Sequence, residues 1–215
     1  MGRARRLSAP GTVVAGTCPG RRSRVIPEYV AQECRRHGPR PAARAHLQRL
    51  FAEDPRDAVL SVYGVQFAPD QEKAASEMVR VCRPGGKIGL ATPIADGWSG
   101  DFFATIANYT PPLPGLNPTL RWGTDAGIEQ LLGSGTRSIE NEQRTALQYY
   151  RSVDHAVEVF HTYFGPAVRA SSGSREQDRE KLGKDLHAVF TRHNRATDGT
   201  AVIENRYLLT VATRA

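Results

Sequence analysis

The stretch from Asp57 to Pro93 constrains the fold most, because it passes through three patterns in a fixed order. It reads DAVLSVYGVQFAPDQEKAASEMVRVCRPGGKIGLATP. The opening is a nearly continuous apolar run, which is typical of a strand buried on both faces. The middle carries Ala75, Val79 and Cys82 on one helical face, and a second short apolar run follows. A strand, a helix and a strand in this order predict a βαβ unit, with a parallel sheet and a right-handed crossover.

The ends of the predicted helix carry their own signals. Pro69 suits a first helical turn, and the acids Asp70 and Glu72 favour the positive end of the helix dipole. At the other end Pro84 cannot continue a helix, and Gly85 can take the positive φ of a type II turn. The sequence RPGG therefore predicts a tight turn that returns the helix to the next strand.

The rest of the chain continues the alternation of helices and strands. Helical patterns occur in GDFFATIANYT, GTDAGIEQLLG, SVDHAVEVFHTYFGPAV and SREQDREKLGKDLHAVFTRHN, and strand patterns in TRSIENEQRTALQYY and AVIENRYLLTVATR. Thr124 and Ser152 stand where helix caps are expected. The chain is thus predicted to be α/β, with a mostly parallel sheet that ends in an antiparallel strand pair.

The positive charge of the chain is concentrated in its first quarter. The net charge is +7; residues 1–56 hold twelve arginines, no lysine and four acids, a balance of +8, and the remainder balances at −1. Such a segment could bind nucleic acid or another anionic surface, or it could be a solvated segment without a binding role. Since no known nucleic-acid module accompanies it, we expect no nucleic-acid partner. We predict a poorly ordered Arg/Pro-rich segment at 1–56 and the main domain at 57–215.

Several functional classes are disfavoured by what the sequence contains. No run of eighteen apolar residues could span a membrane, and the apolar stretch TVVAGT is too short for the core of a signal peptide. Cys18, Cys34 and Cys82 show neither CxxC spacing nor a ligand pattern with histidine. We therefore expect a cytoplasmic protein without a membrane anchor or a bound metal.

The stretch Asp57–Pro93 resembles the second half of a class I S-adenosylmethionine-dependent methyltransferase of the small-molecule, methyltransferase-11-like type. The shared features are an acid that opens a strand, a glycine in the loop after it, and a helix and turn of the form D…A..E..RV.(R/K)PGG followed by another strand. The resemblance extends loosely to Ala215. It implies a Rossmann-like sheet that binds S-adenosylmethionine and transfers its methyl group to a small organic molecule. The same pattern also fits a generic doubly wound α/β domain.

The resemblance also implies where the site lies. The residues after the first strand of the stretch would contact the methionine and sulfonium part of the cofactor: Ser61, Val62, Tyr63, Gly64, Val65 and Phe67. Aromatic residues after the next strand are candidates for the wall of the acceptor pocket: Trp98, Phe102, Phe103 and Tyr109. Each set has a competing interpretation as ordinary packing. The resemblance implies no dedicated catalytic base, because the sulfonium already activates the methyl group.

The first half of such a domain is not recognisable in this sequence. Only TVVAGTCPG, with Gly16 and Gly20, faintly resembles the expected glycine-rich cofactor turn, and no acid occurs before Glu28. About forty residues separate Gly16 from Asp57, which is too few for three strand-and-helix steps. The alternative to an active methyltransferase is therefore a truncated, non-catalytic remnant or binding module.

Overall fold

The computed structural model describes residues 12–15, 56–110, 117–171 and 175–215, and of residues 12–15 it describes the backbone alone. The chain divides into two compact units. The first comprises residues up to Ala91 together with Asp125–Asn141 and Leu209–Ala215, and the second comprises Thr92–Thr124 and Glu142–Leu208. The prediction that residues 1–56 are poorly ordered falls almost entirely on residues outside the described ranges. Of this segment the structure describes only the backbone of strand 12–15 and of residue 56.

Five strands among the described residues form one sheet. They are β1 (Thr12–Ala15), β2 (Arg56–Val62), β3 (Cys82–Pro93), β4 (Thr136–Tyr150) and β5 (Ala201–Arg214), in the order β1-β2-β3-β5-β4. β1 pairs with β2 in parallel, with Thr12 opposite Ala58. β2 pairs with β3 in parallel, with Ala58 opposite Lys87 and Val62 opposite Ala91. The predicted parallel βαβ unit is therefore confirmed.

The last strand, β5, runs against the direction of β3. Near one end of the pair the Lys87 Nζ donates to Thr213 Oγ1 at 2.7 Å. Near the other end the Ile94 amide donates to the Arg206 carbonyl at 3.3 Å. Residue numbers thus rise along β3 as they fall along β5, which is the antiparallel arrangement.

On its other side β5 is also antiparallel to β4. Ser138 donates to Thr213 Oγ1 at 3.0 Å, and Thr210 donates to the Asn141 side chain at 2.6 Å. The predicted antiparallel terminal pair on an otherwise parallel sheet is confirmed. The sequence does not indicate, however, that β5 inserts between β3 and β4 and leaves β4 at the edge of the described sheet.

The helix between β2 and β3, α1 (Gln71–Val81), begins two positions after Pro69, where the sequence suggests its start. Asp70 is its N-cap, and the Asp70 carboxylate accepts from the Lys73 amide at 2.8 Å. Pro69 therefore precedes the helix, while the acid stabilises its first turn as expected. Ala75 is fully buried. In the same unit α1 packs against α3 (Asp125–Leu132), whose Ile128 and Leu132 are also fully buried.

The RPGG stretch lies inside β3 and is not a separate turn before it. Gly85 has the predicted positive φ, at 73°, but the strand already begins at Cys82. The pairing with β2 shifts between Arg56, opposite Cys82, and Ala58, opposite Lys87. The extra residues on β3 therefore form an irregularity of the strand, and the left-handed glycine is what accommodates it.

In its described residues the second unit has four α-helices around an aromatic cluster. They are α2 (Trp98–Ala107), α4 (Val153–Tyr163), α5 (Gly165–Ser171) and α6 (Glu176–His193). Ser152 caps α4 as predicted, since its Oγ accepts from the His155 amide at 3.1 Å. At the other predicted cap, the Thr124 hydroxyl donates to the Arg121 carbonyl at 3.0 Å, and its capping of α3 stays a prediction. The cluster includes Phe160 and Phe190, whose ring centroids lie 5.3 Å apart.

The sequence predicts neither a membrane span nor a bound metal, and the described residues bear on both predictions. No described helix is long and apolar enough to cross a bilayer. Within the described ranges, no three His, Cys, Asp or Glu side chains lie together in a way that could hold a metal ion.

Candidate functional site at the end of strand β2

The chain turns sharply where β2 ends, and the turn is tied down by its own hydrogen bonds. Ser61 is 2% exposed, and its Oγ accepts from the Val65 amide at 3.0 Å. Val65–Phe67 then form one 3-10 turn, in which the Phe67 amide donates to the Gly64 carbonyl at 3.1 Å. The residues predicted at the cofactor site thus form one compact turn at the carboxyl end of β2.

Tyr63 carries a strained backbone in this turn. Its φ is 52°, and it is the one non-glycine residue of the described ranges with a positive φ. The Tyr63 amide donates to the carbonyl of Ala91 near the end of β3 at 2.9 Å, which fixes the turn against the neighbouring strand. A left-handed residue with a side chain costs about 1 kcal/mol or more, and such strain concentrates at functional sites. The strain therefore marks this turn as a candidate site independently of the resemblance.

Two apolar side chains of the turn face solvent. Val62 is 49% exposed and Phe67 is 43% exposed. Isolated exposed apolar residues are common on protein surfaces, but here both lie within six residues of each other at the end of a parallel strand. This is the end of the strand at which α/β sheets bind their ligands. Together the two side chains offer an apolar surface that a ligand could cover.

Gln66 is a residue of this turn that the sequence interpretation missed. It is 3% exposed, and its side-chain Oε1 has no hydrogen-bond partner among the described residues. A buried amide oxygen without a donor is costly, and such atoms often await a ligand. The burial of Gln66 depends on how the 3-10 turn folds back, so no periodicity in the sequence could have identified it.

The chemical groups of the turn match those of S-adenosylmethionine. The methionine part of that molecule carries an ammonium group, which can donate to an acceptor such as Gln66 Oε1, and an aliphatic chain, which can cover apolar surface. Gly16 and Gly20, the candidate glycines of the cofactor turn, lie outside the described residues. Within the described residues, Gln66, Val62 and Phe67 are therefore candidates for contacts to the methionine part, and their role in binding stays a prediction.

The aromatic residues predicted for the acceptor pocket lie mostly in the core of the second unit. Trp98 is 5% exposed and stacks on Phe102, which is fully buried, with ring centroids 5.0 Å apart. Phe103 packs edge-on against Phe102 at 5.8 Å. The Nε1 of Trp98 has no hydrogen-bond partner within the described ranges. A role for these residues in binding an acceptor remains a prediction.

Tyr109 is the member of the predicted pocket that borders a cavity. Its hydroxyl donates to Asp185 Oδ2 at 2.5 Å, and burial, reinforced by this carboxylate, raises the pKa of Tyr109 to about 12. The cavity, of about 450 Å³, lies between the end of α2 and α6. Its lining consists of Asn108, Tyr109, Asp178, Lys181 and Asp185. Tyr109 is thus a protonated hydrogen-bond donor at neutral pH, and its present acceptor is a carboxylate on α6.

Comparison with known proteins agrees with the resemblance in the sequence. A sequence model of the methyltransferase domain family matches residues 25–90. The match includes β2, α1 and β3 as far as Leu90, and it begins inside the Arg/Pro-rich segment that the composition sets apart. S-adenosylmethionine is the cofactor of this family.

Curated relatives cover more of the chain. An uncharacterized protein of Mycobacterium tuberculosis is 37% identical over 176 residues, which are 78% of this chain and 62% of that protein. This chain therefore spans less than two thirds of the length of that relative. A phosphatidylethanolamine N-methyltransferase of Cereibacter sphaeroides is 30% identical over 81 residues, covering 38% of this chain and 37% of that enzyme.

Among solved structures, one neighbour is a putative methyltransferase from an antibiotic biosynthesis pathway of Anabaena variabilis. It has a TM-score of 0.45 and 18% identity, over 75% of this chain and 69% of that one. The family assignment rests on the sequence match. The methyltransferase domain model matches residues 25–90, which include the turn that carries the candidate site, and this match supports a class I S-adenosylmethionine-dependent methyltransferase.

Proposed function

We propose that this chain transfers a methyl group from S-adenosylmethionine to a small organic acceptor, with the cofactor bound at the turn after β2. The observation that carries the proposal is the combination found in that turn within the family match. Six residues contain a strained Tyr63, the exposed Val62 and Phe67, and the buried Gln66 Oε1, which has no hydrogen-bond partner in the described ranges.

The residues of the turn would bind and orient the cofactor. Gln66 Oε1 would accept a hydrogen bond from the ammonium of its methionine part, and Val62 and Phe67 would cover its aliphatic chain. When bound, the sulfonium cofactor supplies an activated methyl group, so that the chain needs mainly to align an acceptor and exclude water. The rigid Ser61–Val65 hydrogen bond suits this task, because it fixes the turn before any ligand arrives.

The first experiment measures cofactor binding by titration calorimetry, with S-adenosylmethionine and S-adenosylhomocysteine as ligands. The full chain is expected to bind both. The variant Gln66→Leu, which keeps the bulk and loses the acceptor, should weaken binding by about tenfold, the equivalent of one hydrogen bond to a charged group. Phe67→Ala should weaken it by a smaller factor, since part of the ring stays in water.

The control for Phe67→Ala is Tyr163→Ala, which removes another exposed aromatic ring, 80% exposed and in the second unit. It should bind the cofactor like the parent chain. Absence of binding at millimolar ligand would refute the proposal and leave the non-catalytic remnant as the explanation. Equal affinity of Gln66→Leu and the parent would refute the assignment of this turn.

Methyl transfer itself is tested with radiolabelled cofactor and a panel of small amines, alcohols and thiols. Amines come first in the panel, because the Cereibacter sphaeroides relative is named as an N-methyltransferase. Labelled product from any acceptor, lost in Gln66→Leu at low cofactor concentration and regained at high concentration, is the expected result. Binding without transfer to any member would favour a binding module.

A further inference from the structure

The strand β4 is long, sits at the edge of the sheet and is largely uncovered. It has fifteen residues and a single neighbour, β5, in the part of the chain that the structure describes. Most of its side chains are exposed, among them the apolar Leu147 at 48% and Tyr149 at 69%. An edge strand offers a row of backbone donors and acceptors to any other strand that can match it. The question is which partner the side chains of β4 favour.

The charged side chains at the middle of β4 are complementary to those of a second copy of β4. Glu142 and Arg144 form an ion pair at 2.7 Å along the strand, so both side chains project to the same face. If a second copy of β4 runs antiparallel with Gln143 opposite Gln143, each Glu142 lies opposite the Arg144 of the other copy. Moving the centre by one residue would place Glu142 or Arg144 opposite its own copy, and like charges directly opposite are unfavourable. The charges therefore favour the register centred on Gln143.

The same register also matches residues further from the centre. Ile139 lies opposite Leu147 of the other copy, and Arg137 lies opposite Tyr149. The first pair joins two apolar side chains, and the second can place a guanidinium over an aromatic ring. By the two-fold symmetry each pair occurs twice, so the register covers the exposed Leu147 and Tyr149 in both copies.

We propose that β4 is a dimerisation strand, which pairs with β4 of a second copy of this chain in antiparallel register about Gln143. The contact consists of one strand pair and its flanking side chains, so it is smaller than the interfaces of permanent dimers. The dimer therefore dissociates at a concentration on the order of 1–100 µM.

The test is sedimentation equilibrium of the full chain over about 1 to 300 µM, a range chosen to span the expected dissociation constant. Arg144→Glu and Glu142→Arg each turn two attractive contacts into repulsive ones, and each should weaken the dimer by about tenfold or more. The double variant Glu142→Arg with Arg144→Glu restores opposite charges at every pair. It should return the dissociation constant to within about threefold of the parent.

The matched control is Glu180→Arg, which makes the same change of charge on the exposed face of α6. It should leave the dimer unchanged, and circular dichroism of every variant should match the parent. A parent that stays monomeric throughout the range would overturn the proposal. Single reversals without effect, or a double variant that does not recover, would overturn this register. The measurement uses no cofactor, so its outcome is independent of the proposed methyltransferase function.

Discussion

The turn after β2 and the aromatic cluster of the second unit use apolar side chains in opposite ways. In the turn, Val62 and Phe67 are 49% and 43% exposed, beside a buried amide oxygen that has no partner in the described part of the chain. In the cluster, Phe102 is fully buried and contacts the rings of Trp98 and Phe160 at 5.0 Å each. Each region has a buried polar atom without a partner among the described residues, Gln66 Oε1 in the turn and Trp98 Nε1 in the cluster, so the difference lies in the apolar side chains, which are packed in the cluster and half-exposed in the turn. Exposed apolar side chains beside such an atom point to a ligand more strongly than a packed collection of aromatic residues does.

The largest expected effect is the difference in stability between a variant in the aromatic cluster and a variant in the turn. Phe102→Ala should lower the free energy of unfolding by about 3–5 kcal/mol, because a fully buried ring is lost from a packed cluster. Phe67→Ala should lower it by less than about 0.5 kcal/mol, since the ring is largely at the surface. Urea denaturation measures both. A similar loss in the two variants would mean that Phe67 belongs to the core, and the contrast between the regions would fail.

A second comparison tests the strain at Tyr63. Tyr63→Gly should be more stable than Tyr63→Ala by about 1 kcal/mol, because both variants lose the ring and only glycine adopts a φ of 52° without a steric cost. The difference between the two melting curves isolates the backbone term. Equal stabilities, or a more stable alanine variant, would show that the turn relaxes to negative φ and is not strained.

The smallest expected effect is a change in the pH dependence of stability, through Tyr150 beside the aromatic cluster. Burial raises the pKa of Tyr150, which packs against Phe160 and Phe190, to about 12. The folded value lies above the ordinary value of 10, so the contribution of this phenol to stability is fully present below pH 10. It is lost as the pH rises toward 12. Tyr150→Phe should therefore flatten the alkaline decline of the melting temperature.

The matched control for this effect is Tyr149→Phe, on the exposed neighbour of Tyr150 in β4. It should keep the alkaline decline of the parent. An identical decline in the parent and in Tyr150→Phe would show that Tyr150 ionises in the folded protein without hindrance.

Much of the fold is predictable from the sequence because local patterns and long-range packing agree. The apolar run of β2, the cap at Asp70 and the helical spacing of α6 each predict an element that the structure contains. The insertion of β5 between β3 and β4 is not predictable in this way, since periodicity shows that a strand exists and not which strands it joins. The position of RPGG within β3 depends likewise on its pairing with β2.

The candidate site is predictable only in part. The resemblance placed Ser61–Val65 and Phe67 at the end of β2, where the structure has the strained turn. Gln66 lies between them and was missed, because glutamine is usually exposed and its burial here is a tertiary effect. Trp98 and Phe102 have the spacing that both a pocket wall and a core would show. In the structure both are buried, and their part in acceptor binding awaits the transfer assay.

The place of β5 in the sheet has a consequence for the order of folding. β3 and β4 both pair with β5, which is synthesised after them, so neither of these pairings exists until Ala201–Arg214 has been made. The contact between Lys87 and Thr213 spans 126 residues, a separation that slows folding. Until then the nascent chain exposes two strands that have no partner on that side. Chains that still lack β5 therefore expose unpaired strand edges, which favour aggregation.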